Sequence, residues 1–470
     1  MKNAINNKNI DKDWYLNPMQ LVFLIIIGLV IVAVPNFGSI LWMGLVLYIF
    51  SIIFAGKIYK IWNCIVLIPG MEIISRMAKP NVMPFEIGKY ILYFIIVLFY
   101  FSIFDRRNVF CKPKYKVGYY LLIAMVPSLI VALYTSNFDY QNWIFNISGI
   151  VQLGILLIFA AKERWSSQEY YKLIKLSVLP IIPILTYLTI KTPKFEDIEF
   201  SLGANTSTSG GFGSNQVSTI LGTGLLVVSL LAFIKQPLFK QSYLNLSLII
   251  YILFRGLLTF SRGGILIAVL GLLIAMIVYS SKDKKIFRKL ILILFATVIV
   301  GGAVFYSVNK LTNNMLYLRY SGETEGTLGK GKVKNLNSIT SNRSDIAVTD
   351  FYIFRDNLVF GVGPGESRNH RKEYGGYNVI PHTEYTRLLS EHGLGGVIIV
   401  LILSFFPIYW IKKIPSTKGK AIATAFFILS IGTTFHAAMR TSTSVVYFLL
   451  ACFPVIFSVT KKVIPDRQVA

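Results

Sequence analysis

The chain has 470 residues, is 54% hydrophobic and has a mean hydropathy of +0.61, with apolar runs long enough to cross a hydrocarbon core of about 30 Å, which excludes a soluble globular protein. Lys and Arg outnumber Asp and Glu by 47 to 22, an excess that suits nucleic-acid binding in a soluble domain and basic cytoplasmic loops in a membrane protein. Cys64, Cys111 and Cys452 lie in apolar runs or a basic loop without metal-type spacing, so neither a disulfide framework nor a zinc site is expected.

Hydropathy in chain order predicts an all-α polytopic membrane protein of about 12–14 transmembrane helices. The candidate crossings fall near 18–34, 38–56, 61–76, 87–104, 117–134, 140–161, 171–190, 215–233, 243–260, 263–281, 287–306, 394–411, 419–436 and 443–460. The first run is long enough to persist as a span rather than a cleaved signal. The third is short, carries Glu72 and is interrupted by Pro69-Gly70, so an interfacial or re-entrant segment competes with a crossing there. Charge decides in its favour. With a cytoplasmic N-terminus and fourteen crossings, the basic loops DRRNVFCKPKYK, SKDKKIFRK and KKIPSTKGK share one side, and removing the third crossing would place Lys57 and Lys60 opposite them. Three parts follow: an N-terminal bundle over 1–306 with about eleven spans, a large external loop over 307–392 containing short helices, and three C-terminal spans over 393–470. The loop mixes both charge signs, as a folded lid does, and nucleic-acid binding loses its support.

Polar residues on the expected outer side then become informative. The stretch ANTSTSGGFGSNQ, residues 204–216, ends with Asn215 near a helix start, where capping and sugar contact explain it equally well. In RGLLTFSRGG, Arg255 lies within the ninth span and Arg262 at its outer end; seven residues apart, they are expected to share a helix face, with a rise of roughly 10 Å. Two cations so placed suit the phosphates of a pyrophosphate, whereas interfacial snorkelling and a carbonyl contact are the structural alternatives. Arg440, in FHAAMRTSTS at the outer end of the thirteenth span, joins them as a candidate or serves as an interfacial anchor.

Within the loop, SNRSDIAVTDFYIFRDNLVF reads as an amphipathic helix capped by Ser341 or Asn342, with Ile346, Phe351, Phe354 and Leu358 on its apolar side and Arg343 as a further phosphate ligand. It ends at GVGPG, where Gly361, Gly363 and Gly365 permit a tight turn and close approach of a ligand. In IPHTEYTRLLSEHGLGG, Pro381 suits a first helical position, His382 falls in the first turn, and Gly393 stops the helix before the next span. The positive end of the helix dipole favours a neutral imidazole, which a general base requires. Glu384 reads as a solvated first-turn carboxylate in preference to a group that orients the imidazole or the acceptor. His370, His382, His392 and His436 show no metal-site spacing and no nucleotide-phosphate loop occurs, so neither a metal nor a cofactor is expected.

Taken in order over roughly 210–410, the motifs GGFGSNQ, LTFSRGG, Arg343, GVGPG and PHTEYTRLLSEHGLGG resemble the superfamily of O-antigen ligases and O-antigen polymerases, which also includes protein O-oligosaccharyltransferases. The resemblance implies a multi-pass enzyme of the bacterial inner membrane working on its outer face. Its donor would be a glycan on undecaprenyl pyrophosphate and its acceptor the lipid A core. Carried over motif by motif, Arg262 and Arg343 hold the pyrophosphate and His382 assists the acceptor hydroxyl; Arg255 rests mainly on its burial. Thr383 departs from the Asn or Ser commonly found after the histidine, and the span count exceeds the usual twelve. A metal-independent, inverting displacement follows. A polymerase joining two lipid-linked repeat units is the alternative within the class, and a lipid-linked oligosaccharide transporter the alternative outside it. Against the transporter stand the absence of a visible internal repeat and of an acidic relay beyond Glu72.

Overall fold

The computed structural model describes residues 14–102, 113–133, 140–281, 283–329, 340, 343–376 and 383–457, with Phe101, Ser102, Lys289 and Arg440 described by backbone alone. The pyrophosphate candidate Arg440 is therefore placed only by its backbone. His382 and its neighbour Pro381, with the proposed caps Ser341 and Asn342, lie outside the described residues.

Helices account for most of the described residues, as the apolar runs require: in a hydrocarbon environment a segment must satisfy its own backbone hydrogen bonds. In chain order they are α1 (Pro18–Ala33), α2 (Phe37–Phe54), α3 (Ile61–Ala78), α4 (Ile87–Ser102), α5 (Val117–Leu133), α6 (Tyr140–Ala160), α7 (Ser167–Val178), α8 (Ile181–Lys191), α9 (Ser214–Phe233), α10 (Ser242–Leu258), α11 (Arg262–Ser280), α12 (Lys284–Leu311), α13 (Met315–Tyr320), α14 (Glu325–Gly329), α15 (Arg343–Asp356), α16 (Ser367–His370), α17 (Glu384–Lys413), α18 (Thr417–Ala437) and α19 (Thr443–Cys452). Among the described residues, nine helices are long and apolar enough to cross a membrane, with α7 and α8 taken as one run, and five shorter apolar helices cover the other expected crossings. The protein is an all-α polytopic membrane protein. A two-residue parallel pair, β1 (Trp165–Ser166) with β2 (Val455–Ile456), ties the start of α7 to the chain after α19.

Local chemistry sets several boundaries. Asn17 and Gln20 form a reciprocal capping box with Pro18 at the first position of α1, and Ser166 with Glu169 does the same for α7. The doubtful segment is a continuous helix despite Pro69. It is buried along most of its length, and Glu72 is neutralised there by Arg76 at 2.5 Å. Helix α12 continues past residue 306, where the loop was expected to begin, to Leu311. Gly393 (φ 57°, ψ −132°) separates a short polar helix from the apolar span within α17, so the expected stop at Gly393 is a kink. The polar part starts at Glu384, after Thr383 as N-cap.

Two expectations fail here. Arg255 and Arg262 do not share a helix face, because α10 ends at Leu258, Phe260 takes a left-handed conformation (φ 57°), and a new helix begins at Arg262. Two consecutive spans need a reversal between them, and the TFS tripeptide makes it. The loop helix α15 is present, but its buried stripe is Ile346, Thr349, Asp350 and Ile353, while Phe351 and Leu358 are exposed. An apolar-only template cannot find a stripe that is held by buried polar groups. Asp350 accepts from Arg371 Nε at 2.7 Å and from Thr386 Oγ1 at 2.8 Å, and so anchors α15 to α17.

Candidate functional site

The N-terminal ends of α9 and α11 and the C-terminal end of α18 meet at one end of the bundle. The pair Gly263-Gly264 makes this possible. A β-carbon on Gly264 would overlap the Ser218 carbonyl of α9, and one on Gly263 would overlap the imidazole of His436 on α18. The SRGG motif is thus a steric requirement: glycine lets one helix touch another and admits a ring against the first turn of α11.

His436 stands at the centre. Arg343 Nη1 donates to its Nδ1 at 3.1 Å, and Ser261 Oγ lies 3.2 Å from its Nε2. A guanidinium offers only donors, so Nδ1 accepts, Nε2 carries the proton and donates to Ser261, and Ser261 Oγ donates to Asn215 Oδ1 at 2.8 Å. This directed chain joins α15, α18, the TFS turn and α9. It gives Asn215 a partner other than a helix end.

Around this chain lie more cations. Arg262 Nη1 donates to the backbone carbonyl of Arg319 at 2.9 Å, which brings α13 of the loop over the start of α11. The Arg319 guanidinium is pushed down to about 10 by burial and then by the charges of Arg262 and Arg343; burial, then Arg262, lowers Arg343 as well. Three half-buried guanidiniums crowd one another here, an arrangement that an anion relieves. Next to it, Arg76 donates through Nη1 to Gln216 Oε1 at 2.7 Å and lies 4.4 Å over the exposed ring of Phe85. Glu72 Oε2 accepts from the N–H of Ser442, at 2.9 Å, and from its hydroxyl.

The remaining candidates fall elsewhere. Arg255 is 3% exposed and donates through Nη2 to the Leu188 carbonyl at 2.7 Å and to Thr192 Oγ1 at 2.5 Å, tying α10 to α8. Glu384 is 2% exposed, not solvated: it pairs with Arg387 and accepts from the Met439 N–H at 3.3 Å. Burial there is repaid only because Arg387 also binds Glu391 at 2.7 Å and Asn146 Oδ1 at 2.8 Å, so each charge is satisfied. In GVGPG all three glycines have positive φ, from 70° to 94°. Their close approach is to the protein itself: the N–H groups of Val362 and Gly363 donate to the carbonyls of Ser390 and Glu391, each at 3.0 Å, clasping the end of the polar helix before Gly393.

Arg319, Ser261 and His436 were not singled out as site residues from sequence. Arg319 carries the signal that exposed Arg262, a cation on the expected outer side. His436 carries none, since a lone histidine near the end of an apolar run is indistinguishable from a core residue. Among the described residues, no group of three or more His, Cys, Asp or Glu side chains has metal-binding geometry.

Residues 246–401 match the family model described as O-antigen ligase. That match covers about a third of the chain and supports the O-antigen ligase and polymerase superfamily. The match opens in α10 and closes in the span of α17, taking in Arg262, Arg319 and Arg343, while Asn215 and His436 lie outside it. No individually curated protein matches the chain.

Proposed function

We propose that the protein transfers a glycan from undecaprenyl pyrophosphate to an acceptor hydroxyl, the lipid A core in a ligase, on the outer face of the bacterial inner membrane. The observation that carries this reading is the crowding of Arg262, Arg319 and Arg343 around His436 within and beside the family-matched segment. Preorganised cations of this kind stabilise charge that builds on a leaving pyrophosphate, a contribution typically worth 10²–10³-fold per donor. His382 is the proposed general base, taking the acceptor proton as the hydroxyl attacks the anomeric carbon in a single inverting displacement. Two residues further on, Glu384 contacts Met439, three residues beyond His436, and two residues of chain reach at most about 7 Å. Arg255 held to carbonyls supports a structural role for it, and the proposed pyrophosphate set becomes Arg262, Arg319 and Arg343.

The positive-inside distribution supports the outer placement of this end, because the Lys- and Arg-rich turns cluster at the opposite end of the helices. A transporter reading loses ground for a specific reason: buried Glu72 is tied to Arg76 and Ser442, and so is unsuited to relay protons.

The decisive experiment supplies purified protein in detergent with a pyrophosphate-linked glycan and acceptor. A new glycosidic product that disappears in His382→Ala is expected; no product with any hydroxyl acceptor overturns the proposal. Surface glycans of a deletion strain then separate ligase from polymerase, intact polymer stranded on carrier lipid marking the former and single repeats the latter.

A further inference from the structure

At the far end of the same helices lies a second cavity, unrelated to the arginine cluster. It has a volume of about 500 Å³, and its polar rim holds Lys114, Arg164 and Lys413. Helix α17 runs from Glu384 beside the site to Lys413 at this rim, and α18 runs from Gly419 at the cavity to His436, so the whole membrane thickness separates the two. Among the described residues no Asp or Glu lines the cavity, whereas Tyr170, Tyr409 and Trp410 do. Aromatic rings with cations at one membrane level form an interfacial belt, and this belt is concave.

A groove of about 620 Å³ adjoins it. The groove lies between α5 and α17, is lined by apolar side chains including Val117, Ile398, Leu401 and Phe405, and shares Tyr409 with the cavity. Tyr115, which lines the groove, packs edge-on against Trp410 of the cavity with ring centroids 4.9 Å apart. A cationic chamber opening onto an apolar furrow has the form of an amphiphile: an anionic head and a hydrocarbon tail.

We propose that this cavity and groove bind an anionic phospholipid of the leaflet opposite the arginine cluster, its phosphate held by Lys114, Arg164 and Lys413 and one acyl chain lying along α5 and α17. Basic pockets between membrane helices at this level select anionic headgroups. The site is independent of the transfer reaction and of which acceptor the enzyme uses.

The test reconstitutes the full chain in nanodiscs and compares the association of spin-labelled phosphatidylglycerol and phosphatidylcholine by electron paramagnetic resonance. Phosphatidylglycerol is expected to win in the natural protein, and each removed cation should lower its preference about fivefold. Arg164→Gln with Lys413→Gln should therefore lower the preference about 25-fold, while Lys284→Gln with Lys285→Gln, on the same basic face but outside the cavity, should leave it unchanged. Equal association of the two lipids, an effect of the Lys284 and Lys285 pair as large as that of the cavity pair, or competition by inorganic phosphate as effective as by lipid would each overturn the site.

Discussion

Two sets of buried arginines divide the molecule. In the anchor of the loop, Arg371 meets Asp350 with both side chains inaccessible, and Arg387 meets Glu384 and Glu391. At the meeting point of α9, α11 and α18, Arg262 and Arg343 bond to a carbonyl and an imidazole, and Arg319 is depressed by its cationic neighbours. The first set is neutralised by the protein and holds shape. In the second the cations depress one another, and under the proposed function that set binds the pyrophosphate while the first is a strut.

Breaking a strut should cost the most stability. Arg387→Ala leaves two buried carboxylates without their partner and should destabilise the protein by about 3–5 kcal/mol, seen as a large drop in the thermal midpoint in detergent. Arg343→Ala should do the reverse, with an initial rate of glycan transfer lowered by about 100-fold or more and the midpoint little changed. Comparable stability losses in both variants would erase the distinction. Arg255→Gln should follow the first pattern and leave transfer per folded molecule near normal, since its guanidinium is committed to the Leu188 carbonyl and the Thr192 hydroxyl at the end of α8.

Smaller effects sharpen the comparison. His436→Ala removes the acceptor that orients Arg343 and should raise the KM for the lipid-linked donor by about tenfold, the value of one hydrogen bond to a charged group, with His436→Gln recovering part of it. The pH dependence has a definite sign. Burial and the neighbouring cations push the Arg319 guanidinium down to about 10, so of the cluster's charges it is the one lost first as the pH rises; pyrophosphate affinity should weaken, not strengthen, above about pH 10, and an affinity that rises there would contradict the role given to Arg319. A bound anion stabilises the protonated form and moves the transition upward.

The GVGPG turn marks a limit on motif reading. Its glycines suggested approach to a ligand, and the structure gives them approach to the carbonyls of residues 390 and 391. Glycine content announces crowding without naming the neighbour. The SRGG motif behaves in the same way: its glycines admit His436, from a helix more than a hundred residues later, and no local pattern could specify that partner.

What the sequence determined alone was what depends on short-range or additive physics. Apolar length fixed the helices, including the contested Ile61–Ala78, because backbone groups in hydrocarbon must pair locally. The order of motifs pointed to the family, and cations on the expected outer side pointed to Arg262 and Arg343. Tertiary structure decided how each charge is satisfied. Arg255 and Arg262 differ by seven positions and one chain reversal, yet one faces carbonyls and the other two more arginines; Glu384 is buried because Arg387 lies one helical turn away and Met439 arrives from another helix. Whether an ionised side chain is a ligand or a brace depends on what surrounds it in space, and only the packing of distant segments supplies those neighbours.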